Sequence, residues 1–224
     1  MNRIIEKIFS IPKSIYFNFR VLPFRQAYKL PIIVRYNALL LSTKGRVILK
    51  NKVYPNMISI GFGEVGVFDK KYSRSIIELN GSISFSGKVA FGHGSKLCVG
   101  KNAILQIGEN FCNTAEGVII CMHNIKIHDN CVTSWNSLIM DTDFHNTINT
   151  VTGEVSKCCY APIEIGNNVW IGTRSVILKR SVIPDGCIIG SNSTVNKKFI
   201  QKNCLIAGNP AVVKKENITL YRGN

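Results

Sequence analysis

From Ile165 to Val195 one aliphatic position returns every sixth residue: Ile165, Ile171, Ile177, Ile183, Ile189 and Val195. One place later stand Gly166, Gly172, Leu178, Pro184, Gly190 and Asn196. Four places after each aliphatic residue come Val169, Ser175, Ser181, Cys187 and Ser193, nearly all small. A period of six is neither the 3.6 of a helix nor the alternation of a strand. It predicts a hexapeptide solenoid, in which three short strands and three corners complete one coil. The aliphatic residue points into the prism, and the small residue sits where the corner leaves little room.

The same pattern extends upstream in looser form. Short strand signals begin near Val47-Ile48-Leu49 and continue through Ile58–Ile60, Ile76–Leu79 and Ile83, Phe85 and Val89, with Gly81, Gly87, Gly92, Gly94 and Gly100 as corners. The register tightens at Ile127, Thr133 and Ile139, with Cys131 and Ser137 in the small slot, and breaks after His145. Residues 146–162 lack the repeat, and a loop of this length in a compact repeat is functional or disordered. The expected organisation is therefore an N-terminal segment over 1–46, the solenoid over 47–212 and a tail over 213–224.

Residues 1–20 place Ile4, Ile5, Ile8, Phe9, Ile15, Tyr16 and Phe19 at helical spacing with basic flanks, interrupted by Pro12. One or two amphipathic turns are expected. They could cap the open first coil, whose strand edges would otherwise be bare. They could also rest on an anionic membrane, and the two roles are compatible. The segment has neither the apolar stretch nor the cleavage site of a signal peptide. The run Leu30–Leu41 is too short for a span and is interrupted by Arg35.

Charge sharpens this division. The 224 residues are 46% hydrophobic and 18% charged, ordinary for a folded protein, but the net charge is +15. Residues 1–56 hold eleven Lys/Arg against one Glu, a net of +10, while residues 57–195 hold eleven of each sign. Residues 196–224 hold six Lys/Arg and one Glu, a net of +5. Basic ends suit anionic lipid or a phosphorylated ligand. No nucleic-acid motif accompanies them, so nucleic acid is not expected as a partner. The eight cysteines include no CxxC pair, and Cys131 and Cys187 occupy the small slot of the repeat. They read as buried thiols of a reducing, cytoplasmic compartment, reaching at most the inner membrane face, rather than a disulfide framework.

The residues that carry chemistry precede the loop. In Ile139-Met-Asp-Thr-Asp-Phe-His145 an extended strand would put Asp141, Asp143 and His145 on one face. A histidine flanked by carboxylates suits a general base, since a carboxylate can fix its tautomer.

The run Thr133-Ser-Trp-Asn-Ser-Leu-Ile-Met-Asp-Thr-Asp-Phe-His145, then Ile165-Gly-Asn-Asn-Val-Trp-Ile-Gly-Thr173, then Ala207-Gly-Asn-Pro-Ala211, resembles the left-handed β-helix acyltransferases. It is most similar to their maltose/galactoside and polysaccharide O-acetyltransferase branch. The resemblance is strong over 98–215, loose before that, and slight over the first 50 residues. It implies an all-β, left-handed parallel β-helix, assembled as a homotrimer with acetyl-CoA in the cleft between adjacent prisms. It further implies O-acetylation of a saccharide or glycan hydroxyl without metal. His145 would be the general base, oriented by Asp143 or Asp141, with Asp143 preferred. The backbone N–H of Thr173 would receive the oxyanion. Trp170, Asn113 and Asp141 fall to the acceptor side. Gly172, Ser191, Asn196, Lys197, Ala207 and Lys215 fall to coenzyme A, Lys215 standing where relatives carry arginine.

Two other readings remain. The same base and donor would serve transfer to a sugar amine. His93, His123 and His128 invite comparison with γ-class carbonic anhydrases, which hold zinc through three histidines, but the spacing from His93 to His123 does not match whole coils.

Overall fold

The computed structural model describes residues 3–63, 65–156 and 158–221. From Ile32 onward the chain winds through three sheets in turn, of nine, seven and six strands among the described residues, all parallel except the last strand of the first. Each strand pairs with the equivalent strand one coil earlier and one coil later. In the regular part Ile165 sits beside Ile183, Ile171 beside Ile189 and Ile177 beside Val195. These six aliphatic residues are each at most 1% exposed, and Ser175, Ser181, Cys187 and Ser193 in the small slot are equally buried. The solenoid is left-handed.

Its corners have a conformational cause that the aliphatic ladder alone does not reveal. Asn168, Arg174, Arg180, Gly186 and Asn192, also six apart, take left-handed φ of 56°, 57°, 70°, 70° and 57°. Glycine and asparagine tolerate this region, whereas arginine takes it at a cost the coil must override. Earlier coils are longer. Ile77 pairs with Leu97 and Leu97 with Ile119, so their strands run to four residues where later ones have two or three.

Three faces and three corners follow. The first face includes Ile58–Phe62, Phe111–Asn113, Val132–Thr133, Trp170–Ile171, Ile188–Ile189 and Leu205–Gly208. The second includes Leu39–Thr43, Ile76–Leu79, Leu138–Met140, Val176–Leu178 and Thr194–Val195. The third includes Arg46–Leu49, Asn124–Ile127, Ile163–Ile165 and Val182–Ile183. The first corner joins first face to second, the second corner joins second to third. Strands thus begin at Ile32, ahead of the expected start near Val47. Among the described residues two long excursions interrupt the coil. One leaves after Phe62 at the first corner and ends at Ile76, without a sequence signal, and the other leaves after Met140 at the second and ends at Ile163, as an arm bridged at Thr142–Tyr160 and Ile148–Val155.

The N-terminal segment forms a longer helix than expected, α1 (Arg3–Val21), running through the exposed Pro12, followed by α2 (Phe24–Ala27). Its polar stripe closes the open edge of the first face. Asn18 exchanges bonds with Ile32 (Ile32 N–H to Oδ1 3.1 Å, Nδ2 to Ile32 carbonyl 2.6 Å). Ser14 Oγ accepts from Val34 N–H at 2.9 Å and Ser10 Oγ from Tyr36 N–H at 3.0 Å. Four residues of helix advance about 6 Å and two of strand about 6.6 Å, so the side chains stay in step with alternate strand amides. Buried Glu6 continues the stripe, reaching Arg35 at 2.8 Å and Lys70 at 3.0 Å. Helix side chains, and not a further strand, thus occupy the amides of the first-face edge.

Asn18→Ala should leave both the Ile32 N–H and carbonyl without these partners. Roughly 1–3 kcal/mol of stability should be lost. Thermal melting should fall by roughly 2–4 °C per kcal/mol, against little change for the exposed Phe19→Ser.

Candidate active site

The second break supplies the exposed histidine. The strand Leu138–Met140 ends before Asp141, and Phe144 takes φ 61°, so Asp141, Asp143 and His145 do not share a strand face as expected. They diverge. Asp141 is fully buried, and its carboxylate accepts the backbone N–H groups of Met122 (2.7 Å), His123 (2.9 Å) and Asn124 (2.8 Å). That carboxylate fastens the arm to the coil below and is not presented to an acceptor. Asp143 is exposed and pairs with Lys179 Nζ at 2.5 Å. His145 is exposed on the arm beyond it. Tyr160, stacked on His123 with ring centres 4.7 Å apart, holds the returning limb.

The other wall lies at the first corner. Trp170 stands half-buried on the first face, its Nε1 donating to Ser134 Oγ at 3.0 Å. Gly172 follows because a Cβ there would lie 2.7 Å from the Ile189 carbonyl oxygen and from Ser191 N. Thr173 then turns the corner. Its hydroxyl donates to the Trp135 carbonyl at 2.8 Å and its own carbonyl accepts Asn192 N–H at 3.0 Å. Among the described residues its N–H donates to no other group, an arrangement repeated at Trp135 and Ser191 in the coils on either side. Ser191 is exposed directly above, and Ala207 lies one coil further on the first face, beside Gly190.

Asn196 and Lys197 belong to the second corner, where they line a groove of about 590 Å³ with Pro162, Glu164, Arg180, Val182 and Lys198. Lys215 ends the strand Ala211–Lys215, which turns back antiparallel on Leu205–Gly208. Asn113 is turned inward instead: at 1% exposure its Oδ1 accepts from Thr133 Oγ1 at 2.8 Å and its Nδ2 reaches Ser95 Oγ at 3.3 Å. It closes the prism and does not line an acceptor site in this chain. One chain therefore holds Trp170, Gly172, Thr173, Ser191 and Ala207 at or beside the first corner and Asn196 and Lys197 at the second, where the arm carrying Asp143 and His145 departs.

Sequence reasoning missed the surroundings of the first corner. Phe68 of the excursion meets Trp135 with ring centres 6.5 Å apart and His93 at 6.2 Å. Buried His93 accepts Val65 N–H at Nε2 (3.3 Å), which assigns the proton to Nδ1 facing Ser73 Oγ (2.9 Å). Ser73 in turn donates to Glu116. Trp135 could have been found, since it precedes left-handed Asn136 as Thr173 precedes Arg174; Phe68 lies where no repeat exists. The histidines considered for zinc occupy different corners: His93 the first, His123 the second with Tyr160, His128 the third, paired with Glu164 at 3.0 Å. Among the described residues no three His, Cys, Asp or Glu side chains cluster as metal ligands.

A three-faced parallel coil with hexapeptide period and an interrupting arm defines a hexapeptide-repeat β-helix protein, and the comparisons agree. The family described as "Bacterial transferase hexapeptide (six repeats)" matches residues 162–197. A 24.8 kDa uncharacterized protein in the cps region of Klebsiella pneumoniae is 31% identical over 90% of this chain and 86% of its own length. Galactoside O-acetyltransferase of Escherichia coli (strain K12) is 33% identical over 57% of this chain, which spans 58% of that enzyme. Among solved structures the polySia-specific acetyltransferase NeuO superposes with TM-score 0.51 at 21% identity, over 86% of this chain and 80% of its own. The chain belongs to the hexapeptide-repeat, left-handed β-helix acyltransferase family.

The thiols grade by position. Burial, then the Asp141 charge, pushes the Cys121 thiol far up, and burial with Glu78 pushes Cys98 up to about 11. Cys158 on the arm is exposed. A thiolate-seeking reagent at neutral pH should label Cys158 first and spare Cys121, Cys131 and Cys187 until denaturant is added, as peptide mass mapping would read. Asp141→Ala should loosen the arm's root and cost roughly 2–4 kcal/mol of stability, whereas exposed Asp143→Asn should cost under about 1 kcal/mol in a denaturant titration.

Proposed function

We propose that this protein is an acetyl-CoA-dependent O-acetyltransferase acting on a saccharide hydroxyl, in surface polysaccharide assembly. The observation that carries the reading is the break in the solenoid. The chain leaves after Met140, exposes His145, and on resuming carries Trp170 and Thr173, whose N–H donates to no group among the described residues. Membership of the acyltransferase family and the name of the galactoside relative support the reaction and the acceptor class.

A sugar hydroxyl is a poor nucleophile at neutral pH, so His145 takes its proton as the oxygen attacks the thioester carbonyl. The Thr173 N–H donates to the charge that develops on the carbonyl oxygen. As the C–S bond breaks, the acetyl group is left on the sugar oxygen and His145 returns its proton to the departing thiolate. Arg180, Lys197 and Lys198 at the second-corner groove supply cations suited to the phosphates of the co-substrate, with Ser191 and Ala207 bordering the slot that leads to Thr173. Asp143, engaged with Lys179, positions the root of the arm.

The two walls also bear on assembly. Thr173 precedes the second-face strand Val176–Leu178, while the arm bearing His145 springs from Met140, which lies beside Leu178 at that strand's far end. A whole face separates base from oxyanion donor within one chain. A homotrimer, in which one protomer's His145 meets its neighbour's Thr173, resolves that separation.

Thiol release from acetyl-CoA across a saccharide panel tests the chemistry. His145→Ala should lower turnover by about 10²–10⁴-fold with the fold intact, and unchanged turnover would refute the assignment. Shared walls are tested by mixing His145→Ala with Ser191→Trp, a substitution that blocks the slot. Verified mixed oligomers should regain activity that neither parent has, and no recovery would place both walls in one protomer.

A further inference from the structure

The N-terminal helix is built inside out for a helix on a protein surface. Its polar stripe, Glu6, Ser10, Ser14 and Asn18, is the side packed against the protein. Its outward side carries Ile5 (43% exposed), Ile8 (57%), Ile15 (42%) and Phe19 (45%), at positions that fall on one helical face. Phe24 (73%) and Tyr28 (58%) extend this apolar strip beyond the helix, with Phe19 and Phe24 in edge contact at 5.7 Å. Exposed large apolar residues gathered in one strip mark an interaction surface.

Charge selects the occupant. Exposed Lys7 flanks the strip on one side and Arg20 on the other, with Arg25 and Lys29 beside the aromatic end. The one acid in residues 1–56, Glu6, is buried against Arg35 and Lys70, so the helical segment itself presents no carboxylate. A second copy placed on the strip would bring these cations against their own kind. A partner that is apolar within and anionic at its rim has neither conflict, and aromatic rings suit the boundary between the two. No helix among the described residues is long and apolar enough to cross a membrane, consistent with a helix lying in the plane.

We infer that α1, with Phe24 and Tyr28, is a docking surface for an anionic lipid bilayer, and that the solenoid stands on the membrane with its first coil nearest the headgroups. The polar stripe fixes the helix to the protein and the apolar strip enters the interface, so neither role competes with the other. The inference is independent of the acyl-transfer reading, because the lipid-facing residues lie on the helix and not on either wall of the proposed site.

The test is sedimentation of the full chain with sucrose-loaded vesicles, of phosphatidylcholine alone or with phosphatidylglycerol. The protein should pellet with the anionic vesicles, bind the neutral ones far less, and be released by salt, each Lys or Arg near the surface strengthening binding roughly fivefold. Ile8→Asp, Ile15→Asp and Phe19→Ser together, all at exposed positions, should weaken partition at least about tenfold while melting temperature and solution mass stay unchanged. Arg20→Glu with Lys29→Glu should lose the preference for phosphatidylglycerol. The inference is overturned if the unaltered protein stays in the supernatant, if the triple variant still pellets, or if that variant changes only the mass of the assembly, which would assign the strip to a second copy.

Discussion

A parallel coil makes no sheet hydrogen bonds within itself; every strand bonds only to the coil before and the coil after. The whole structure depends on that stacking. It demands that the same residue type return at the same height on each face, which is why Ile165 sits on Ile183 and Ile171 on Ile189. It also demands that the backbone turn left-handed at a fixed point, which Asn168 and Asn192 do readily and Arg174 and Arg180 do under constraint from their neighbours. Side chain and backbone thus repeat with one period for two separate reasons.

A scaffold of this kind can be interrupted without being weakened, provided the coil closes again in register. Ile125 and Ile163 pair directly although the arm intervenes between their coils, because Asp141 ties down the departing limb and the Asp143–Lys179 pair steadies its root. The solenoid keeps its straight, regular walls on either side of the arm. The arm is free of the repeat and leaves His145 exposed.

The regular coils were legible because periodicity is a property of sequence alone, and the motifs around Thr133–His145, Ile165–Thr173 and Ala207–Ala211 made the family legible with them. What was not legible depends on which way a side chain faces. Asp141 and Asp143 are indistinguishable in a row of acids, yet one is sealed by three amides and the other exposed, a difference set by where the strand stops. Asn113 reads as a ligand until Thr133 and Ser95 are seen to close around it. The helix was readable as amphipathic, but not which side faced the protein. An apolar face suggests burial, and here the exposed amides of the first strand attract the polar face instead.

The two ends of the coil are finished in different ways, and that has a consequence for the protein in a crowd. A parallel stack with a bare last strand is a template onto which another copy can add, and repeated addition makes a filament. At one end the first-face strand is occupied by Ser10, Ser14 and Asn18, groups that can saturate an edge but cannot continue it. At the other, Ala211–Lys215 runs antiparallel and ends in lysines, so an incoming parallel strand meets the wrong direction and the wrong charge. On the first face the stack is thus closed at both ends to a further parallel strand.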